Sequence, residues 1–305
     1  MELKKDDLEK INLEFKFTIN GHSDTIFQIA KFPSGKLVSV SKDKTIKIWN
    51  EDFTINETII NAHEESIFNI SIKDNDNFAT CSYDESIKFW KKKENKFECV
   101  EIIKEAHYSQ IFKIQFYKEN ILLSCSDDKN VKIWEETELN KHIIKTKLIH
   151  LNVIYSFLIL DDIHILITSG FGGTFFWNLN NFSLLFQIND VKCNWWNAIE
   201  RLNKDNIIIG GKNNNNNILS IISISQKKII QEFNNEFSLY SIFNFENKGI
   251  FLVGGYNDSF KIFRNDNFQF IKKIQTNDKC VYGFNILKDQ IISFSNGNFS
   301  IWTFE

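Results

Sequence analysis

Ser-Lys-Asp-Lys-Thr-Ile-Lys-Ile-Trp, at residues 41–49, is followed by Ser-Tyr-Asp-Glu-Ser-Ile-Lys-Phe-Trp at 82–90 and by Ser-Asp-Asp-Lys-Asn-Val-Lys-Ile-Trp at 126–134. In each copy the Asp lies 6 residues before the Trp, and a His lies 21 residues before the Asp. A fourth copy keeps His150 and Trp177 at the same total separation, with Phe171 at the Asp position. The chain is therefore built from an internal repeat. The recurring triplets are His22, Asp43 and Trp49; His63, Asp84 and Trp90; and His107, Asp128 and Trp134.

The repeat continues to the end of the sequence with a period typical of propeller blades. Its closing positions are spaced 41, 44, 43, 45, 41 and 39 residues apart. Within a copy, apolar and polar residues alternate, as in Ile46-Lys47-Ile48, and turn residues separate the apolar runs, which indicates short β-strands. Four strands in about forty residues form one blade, so the sequence predicts an all-β, seven-bladed β-propeller. The repeats end near Trp49, Trp90, Trp134, Trp177, Ile222, Phe263 and Trp302.

Gly21-His22 together with Trp49-Asn50 resembles the GH…WD frame of the WD40-repeat (G-protein-beta-like) family. The resemblance covers nearly the whole chain and is most specific in the first three repeats. It implies that the strand predicted over residues 12–18 becomes the outer strand of the last blade and closes the ring, which removes a free sheet edge. We therefore expect a propeller over residues 12–305, preceded by a short N-terminal extension over residues 1–11.

A second, local resemblance concerns residues 82–93 and the Phe97-Glu98-Cys99-Val100 segment that follows them. These residues look like blades of the WD-repeat scaffold of cytosolic iron–sulfur protein assembly. The match is limited to repeats one to four. It implies an adaptor in that pathway rather than a carrier of the cluster.

The composition narrows the classes of partner. The 305 residues carry 36 Lys and Arg against 39 Asp and Glu, a formal net charge of −3, so we expect no binding of nucleic acid or anionic membrane. The 5 cysteines include no C-x-x-C pair, and we expect neither a metal site nor a cofactor. The N terminus has no apolar run typical of a signal peptide, and Val153 to Leu160, the most apolar stretch, is too short to span a membrane. We expect a cytoplasmic or nuclear setting.

The repeated His and Asp, with a strand Ser (Ser39 or Ser41 in the first copy), have the residue types of a hydrolase triad. A catalytic nucleophile would occur once, whereas this set recurs in three successive repeats. In the WD40 family the matching residues and the Trp form a buried hydrogen-bonded tetrad, and buried polar groups must be paired. The resemblance therefore implies a structural role for the three triplets.

An aromatic residue occurs in every repeat, five positions after the His or after the residue that replaces it. The residue before it is aliphatic, with Trp195 as the exception. Since adjacent strand residues face opposite sides, we expect the aliphatic residue to pack between blades and the aromatic ring to face the other way. Two interpretations stay open, a binding rim at the channel mouth and padding of the core between blades. The set is Phe27, Phe68, Phe112, Tyr155, Trp196, Tyr240 and Tyr282.

The WD40 resemblance also marks the residue before the turn Asp, on the top face where partners commonly bind. It implies a non-enzymatic scaffold that binds protein or peptide partners through an aromatic-rich face, as a monomeric propeller within a larger complex. A reader of methylated Lys or Arg, with an aromatic cage beside Asp127, is an alternative. These turn positions are Lys42, Tyr83 and Asp127, and Tyr256 before Asn257.

An enzyme built on the propeller is a third possibility. It would require unrepeated His, Glu or Asp side chains directed into the channel. The sequence predicts none there, because His142 and His164 fall outside the repeat frame, in an outer strand or a loop.

Overall fold

The computed structural model describes residues 12–138, 141–213 and 216–304. Over these residues the chain forms seven antiparallel sheets of four strands each, which confirms the predicted seven-bladed propeller. Two short 3-10 turns, Asp161–Ile163 and Glu246–Lys248, each join an inner strand to the next strand of its blade. The predicted N-terminal extension, residues 1–11, lies outside the described residues.

In blades 1 to 6 the strands run in sequence order from an inner strand beside the channel to an outer strand at the edge of the disc. Strand β1 (Leu13–Asn20) belongs to the last blade. Blade 1 holds β2 (Ile26–Lys31), β3 (Leu37–Ser41), β4 (Ile46–Trp49) and β5 (Ile55–Ile59). Blade 2 holds β6 (Ile67–Ile72), β7 (Asn77–Ser82), β8 (Ile87–Lys93) and β9 (Lys96–Ile103). Blade 3 holds β10 (Ile111–Tyr117), β11 (Ile121–Ser126), β12 (Asn130–Glu136) and β13 (His142–Ile149).

The remaining blades follow the same order, with a shorter inner strand in blade 5. Blade 4 holds β14 (Ile154–Leu160), β15 (Ile165–Gly170), β16 (Gly173–Asn178) and β17 (Leu184–Ile188). Blade 5 holds β18 (Ile199–Arg201), β19 (Asn206–Asn213), β20 (Asn216–Ser223) and β21 (Lys228–Asn235). Blade 6 holds β22 (Leu239–Phe245), β23 (Ile250–Gly255), β24 (Ser259–Arg264) and β25 (Phe270–Gln275). Blade 7 holds β26 (Gly283–Leu287), β27 (Gln290–Phe294) and β28 (Asn298–Phe304).

The ring closes through the N-terminal strand, as the sequence predicts. Strand β1 pairs with β28 from Leu13 opposite Phe304 to Asn20 opposite Asn298, and so supplies the outer strand of blade 7. Neighbouring inner strands contact one another all the way round, including β2 of blade 1 with β26 of blade 7. The closure pairs the β28 edge, which would otherwise be exposed to other chains.

The core lies between neighbouring blades and is built from the inner and second strands. In the six blades that have an aliphatic residue before the repeat aromatic, that residue is almost fully excluded from solvent, from 0% exposure at Ile26 to 1% at Val281. This confirms that the aliphatic member of each pair packs between blades. The outer strands bury little, as the mostly exposed pattern of β5 shows. Hydrophobic burial therefore fixes the inner half of each blade.

Candidate partner-binding face

The first three blades each contain a hydrogen-bonded network of His, Asp, a hydroxyl residue and Trp. The Trp indole N–H donates to the hydroxyl oxygen, and the His joins that hydroxyl to the Asp. His Nδ1 lies 3.0, 2.9 and 2.9 Å from the carboxylates of Asp43, Asp84 and Asp128. The hydroxyl oxygens of Ser39, Thr80 and Ser124 lie 2.7, 2.8 and 2.7 Å from His Nε2 and 2.8, 2.9 and 2.8 Å from Trp Nε1.

These networks have no nucleophile available to a substrate. Ser39, Thr80 and Ser124 have no exposed surface, and each already accepts the indole N–H. In the first blade it is Ser39 that joins the network, whereas Ser41 accepts the backbone N–H of Asp43 and donates to the carbonyl of Asp24. Each network ties the second and third strands of its blade and the turn between them to the loop that precedes the inner strand.

The Asp side chains of the networks are held ionised. Burial on its own would raise the pKa of Asp43, Asp84 and Asp128, but the hydrogen bond from the His of each network, together with further donors, outweighs it. The pKa of all three carboxyl groups therefore lies well below its usual range. Burial also lowers the pKa of His63 and His107, which keeps these imidazoles neutral near neutral pH.

Blade 4 departs from the sequence-based alignment. The repeat spacing places Phe171 at the Asp position, but its backbone N–H donates to Val153 O, just as the N–H of Tyr83 donates to Ser66 O. Phe171 therefore occupies the position before the turn Asp, because the β15–β16 hairpin is one residue shorter. The glycines that follow it, Gly172 and Gly173, are the sequence signal of this tight turn.

Most of the repeat aromatics are bulge residues of the inner strands. The β2–β3 pairing skips Phe27, since Ile26 pairs with Ser41 and Gln28 with Val40. The same shift skips Phe68, Phe112, Tyr155 and Tyr240. A bulge re-aims its side chain, and here the rings turn inward and meet at the top end of the channel.

In blade 5 the two tryptophans belong to an insertion and not to the aromatic register. Gly211 of β19, at the position of Gly255 in blade 6, is bridged to Cys193, so Cys193 takes the place of the aliphatic residue. The next hydrogen bond between these two segments runs from Gly210 N–H to Ala198 O. Four residues therefore lie between the paired positions Cys193 and Ala198, where the other blades have a single aromatic residue. The inferred register of Trp195 and Trp196 is therefore wrong, although both rings still reach the channel.

The inward-turned rings form a packed aromatic plug around Trp196. Its ring centroid lies 5.5, 4.9, 5.8 and 4.1 Å from those of Phe27, Phe68, Phe112 and Trp195. The exposures of Phe27, Phe68, Phe112 and Trp196 are 7, 8, 5 and 3%, whereas Tyr155, Tyr240 and Tyr282 are partly buried. Tyr240 and Tyr282 stack at 5.2 Å and complete the plug with Trp195. Since neighbouring rings are in contact, this arrangement leaves no slot for a cation between them.

Above the plug, the turns between the second and third strands present a separate rim of side chains. Tyr83, Phe171 and Tyr256, in blades 2, 4 and 6, are 54, 51 and 62% exposed. Lys42 and Asp127, at the same position in blades 1 and 3, pair with Asp24 at 3.3 Å and with the Ser109 hydroxyl at 3.1 Å. Aromatic and polar side chains thus alternate around this part of the channel mouth. The rings at 83 and 171 also contact the plug, through Phe68 at 6.2 Å and Tyr155 at 5.3 Å.

Two further exposed apolar side chains extend this surface over blades 3 and 4. Tyr108 and Leu151, each next to the repeat His, are 85 and 88% exposed. Sequence reasoning did not single them out, since nothing in the repeat marks these positions except that the matching residues, Ser23 and Glu64, are polar. An apolar surface of this kind marks interaction sites.

Below the plug the channel holds a polar cavity of about 410 Å³. Lys113 and Glu200 both line it, so the prediction that no unrepeated acidic residue faces the channel is wrong. Burial raises the pKa of Glu200 to about 7, and the Arg201 backbone N–H and the Lys113 charge only partly oppose this. Burial likewise lowers the pKa of Lys113, whose ammonium donates to Phe157 O at 2.9 Å.

Comparison with known families agrees with the repeat pattern. The family model described as WD domain, G-beta repeat, matches residues 13–50, 55–91 and 97–135, which are the first three repeats. No curated protein sequence matches the chain. Within the described ranges, no helix has both the length and the hydropathy needed to cross a membrane. The same residues hold no group of three or more His, Cys, Asp or Glu side chains placed to bind a metal ion.

Proposed function

Since the chain belongs to the WD40-repeat family of β-propellers, we propose that it is a non-enzymatic platform that binds a protein partner on its top face. The observation that carries this proposal is the exposed aromatic rim, Tyr83, Phe171 and Tyr256, which lies above the packed aromatic plug. Large rings on a rigid support give contact area at low entropic cost, which is why binding hot spots favour them.

The plug side chains and the rim side chains have different roles because they differ in exposure to solvent. Phe112 and Trp196 are too deeply buried to give a partner much contact area, so they hold the face rigid. The rim rings, with Tyr108 and Leu151, provide the apolar contact surface. Lys42 and Asp127 supply charges of opposite sign, which select partners by complementary charge more than they add affinity.

The other sequence-based candidates receive less support. A reader of methylated Lys or Arg needs rings that stand apart around a cation, whereas the plug rings touch. A role as adaptor in iron–sulfur protein assembly stays a prediction from local sequence similarity. The platform proposal needs only the exposed rim.

A test compares proteins captured from native extract by the wild-type chain and by the Tyr83→Ala, Phe171→Ala, Tyr256→Ala variant. These side chains are about half exposed or more, so we expect the variant to keep its fold and melting temperature while its specific partners are lost. The matched control is Ile55→Ala, Leu184→Ala, Phe270→Ala, on outer strands with similar exposures of 49, 47 and 50%. Partners that remain on the rim variant but leave the control would place the interface on the edge of the disc.

A further inference from the structure

A second cavity, of about 350 Å³, lies between the outer parts of blades 2 and 3, at the opposite end of the blades from the rim. Its lining is mixed: aromatic rings, with Phe78, Phe89 and Phe116 among them, alternate with charged side chains that include Glu101 and Glu136. Lys91 and Lys141 line it as well, and both are exposed. The cavity is thus a cleft with aromatic and polar walls and with exposed cations among its lining residues.

One wall of the cleft is a buried imidazole. The side chain of His142 is only 5% exposed, and its ring stacks on Phe89 with centroids 3.9 Å apart and planes 11° apart. Nδ1 lies 2.7 Å from the carboxylate of Glu101, and the His142 backbone N–H donates to the other oxygen of that carboxylate at 2.9 Å. Nε2 is buried and has no hydrogen-bond partner among the described residues. In the neutral ring, a proton on Nδ1 leaves Nε2 as an unused acceptor.

The repeat itself supplies a comparison for this histidine. Phe97 of blade 2 occupies the position that corresponds to His142, since each lies two residues before the outer-strand residue that pairs with the Trp. There the backbone N–H donates to Glu57 at 3.2 Å, as that of His142 does to Glu101, while the side chain is a plain phenyl ring. Packing at this position therefore needs only an aromatic ring. An imidazole with an unpaired buried nitrogen costs free energy, which a ligand that donates a hydrogen bond would recover.

The charges around the cleft favour an acidic ligand. Lys73 is already paired with Glu136 at 2.6 Å, whereas the carboxylate of Glu101 accepts a hydrogen bond from the neutral His142 ring and keeps its negative charge. Within the described part of the chain, Lys91 and Lys141 have no such ion-pair partner. Among the described residues that line the cleft, two unpaired cations, Lys91 and Lys141, therefore outnumber the one carboxylate that no cation neutralises, Glu101, and the net charge around the cleft is positive.

We propose that this cleft is a second binding site, which takes a Trp or Tyr side chain from a peptide segment with acidic flanking residues. The ring lies between the aromatic walls, and its N–H or O–H donates to Nε2 of His142. The flanking carboxylates pair with Lys91 and Lys141. A cavity of about 350 Å³ is large enough for one such side chain. The site shares none of the rim residues, so it stands apart from the proposed top-face function.

The test measures fluorescence anisotropy of labelled short peptides with a central Trp, Tyr or Leu between Asp residues, and of the Trp peptide with Lys in place of Asp. We expect the Trp or Tyr peptide to bind in a saturable way, the Leu peptide to bind more weakly, and the Lys-flanked peptide not to bind. His142→Phe copies the ring of Phe97 and removes the acceptor, and it should weaken binding by about tenfold or more.

The role of the two lysines is tested with the double variant Lys91→Glu, Lys141→Glu. Both side chains are exposed, so we expect the variant to fold. Its control is Lys212→Glu, Lys228→Glu, with the same change in net charge on blade 5. We expect the first pair to abolish binding and the second to leave it unchanged. The proposal is overturned if none of the acidic Trp and Tyr peptides binds, if His142→Phe binds as tightly as the wild type, or if both charge variants lose binding equally.

Discussion

Replacing Trp196 with Ala tests whether the aromatic plug is a packed structural element. The ring is 3% exposed and lies within 6 Å, centroid to centroid, of four other rings, the nearest of them Trp195 at 4.1 Å and Phe68 at 4.9 Å. Its removal leaves a hole at the top of the channel that the neighbouring rings cannot fill from strands held in register. We expect a large loss of stability and a channel that is open from face to face.

The magnitude follows from burial and from ring pairing. A buried Trp replaced by Ala costs about 3–5 kcal/mol. The lost ring pairs put this variant at the upper end, because each pair contributes about 0.5–1.5 kcal/mol beyond burial. The indole N–H of Trp196 is buried and has no hydrogen-bond partner among the residues that the structure describes, so Trp196→Phe, which keeps a ring and removes that donor, should cost far less, about 1–2 kcal/mol.

The assay is urea unfolding followed by far-UV circular dichroism, which does not depend on the tryptophan removed. Tyr256→Ala serves as the reference, since a side chain with 62% exposure should change the free energy of unfolding by less than about 1 kcal/mol. Equal urea midpoints for Trp196→Ala and Tyr256→Ala would refute the packed plug. The rings of the plug would then be candidates for direct contact with a partner.

Two further predictions concern buried polar groups. Thr80→Val keeps the shape of the side chain but removes the hydrogen-bond partner of His63 Nε2 and Trp90 Nε1. It should lower the free energy of unfolding by about 2–4 kcal/mol in the same assay. An unchanged midpoint would show that the tetrad is dispensable for stability. The pKa of Glu200 is raised from 4.5 to about 7 in the folded state, so the folded protein binds this proton more tightly, and the free energy of unfolding falls as the pH rises through that interval. Glu200→Gln should therefore be more stable than the wild type at pH 8, by at most about 3 kcal/mol, and should lose this advantage below pH 4.5; equal stabilities at pH 8 would contradict the assignment.

The repeat could be predicted from the sequence because it depends only on the spacing of residues within one blade. The distance from His to Asp to Trp in one repeat is set by the strand and turn lengths of one blade, and those lengths recur along the chain. This recurring spacing therefore predicts the blades. The resemblance of residues 41–49 to the WD40 repeat implies the tetrad, and the same resemblance implies that the strand before His22 closes the ring and removes a free sheet edge. The alternation of Ile26 and its equivalents with polar residues likewise indicates the core face of each inner strand.

Where the aromatic side chains end up could not be predicted in the same way. The repeat identifies the register of Phe27, but only the bulge turns its ring towards the channel, and a bulge arises from the pairing of two strands. The hairpin that is one residue shorter in blade 4 moves Phe171 from the tetrad position to the rim, and the insertion in blade 5 brings Trp195 and Trp196 to the centre. Each of these shifts is a change of pairing that leaves residue counts almost intact.

The tertiary structure alone decided which residues from different blades meet. Glu200 and Lys113 line one cavity although blade 4 separates them in sequence, and His142 packs on Phe89 of the preceding blade. The sequence by itself determined a seven-bladed propeller with buried tetrads, because period and alternation are properties of one blade. The two surfaces that we propose as binding sites lie between blades or around the channel. There the geometry of several strands sets each side chain's neighbours, and the periodicity along the chain does not determine those distances.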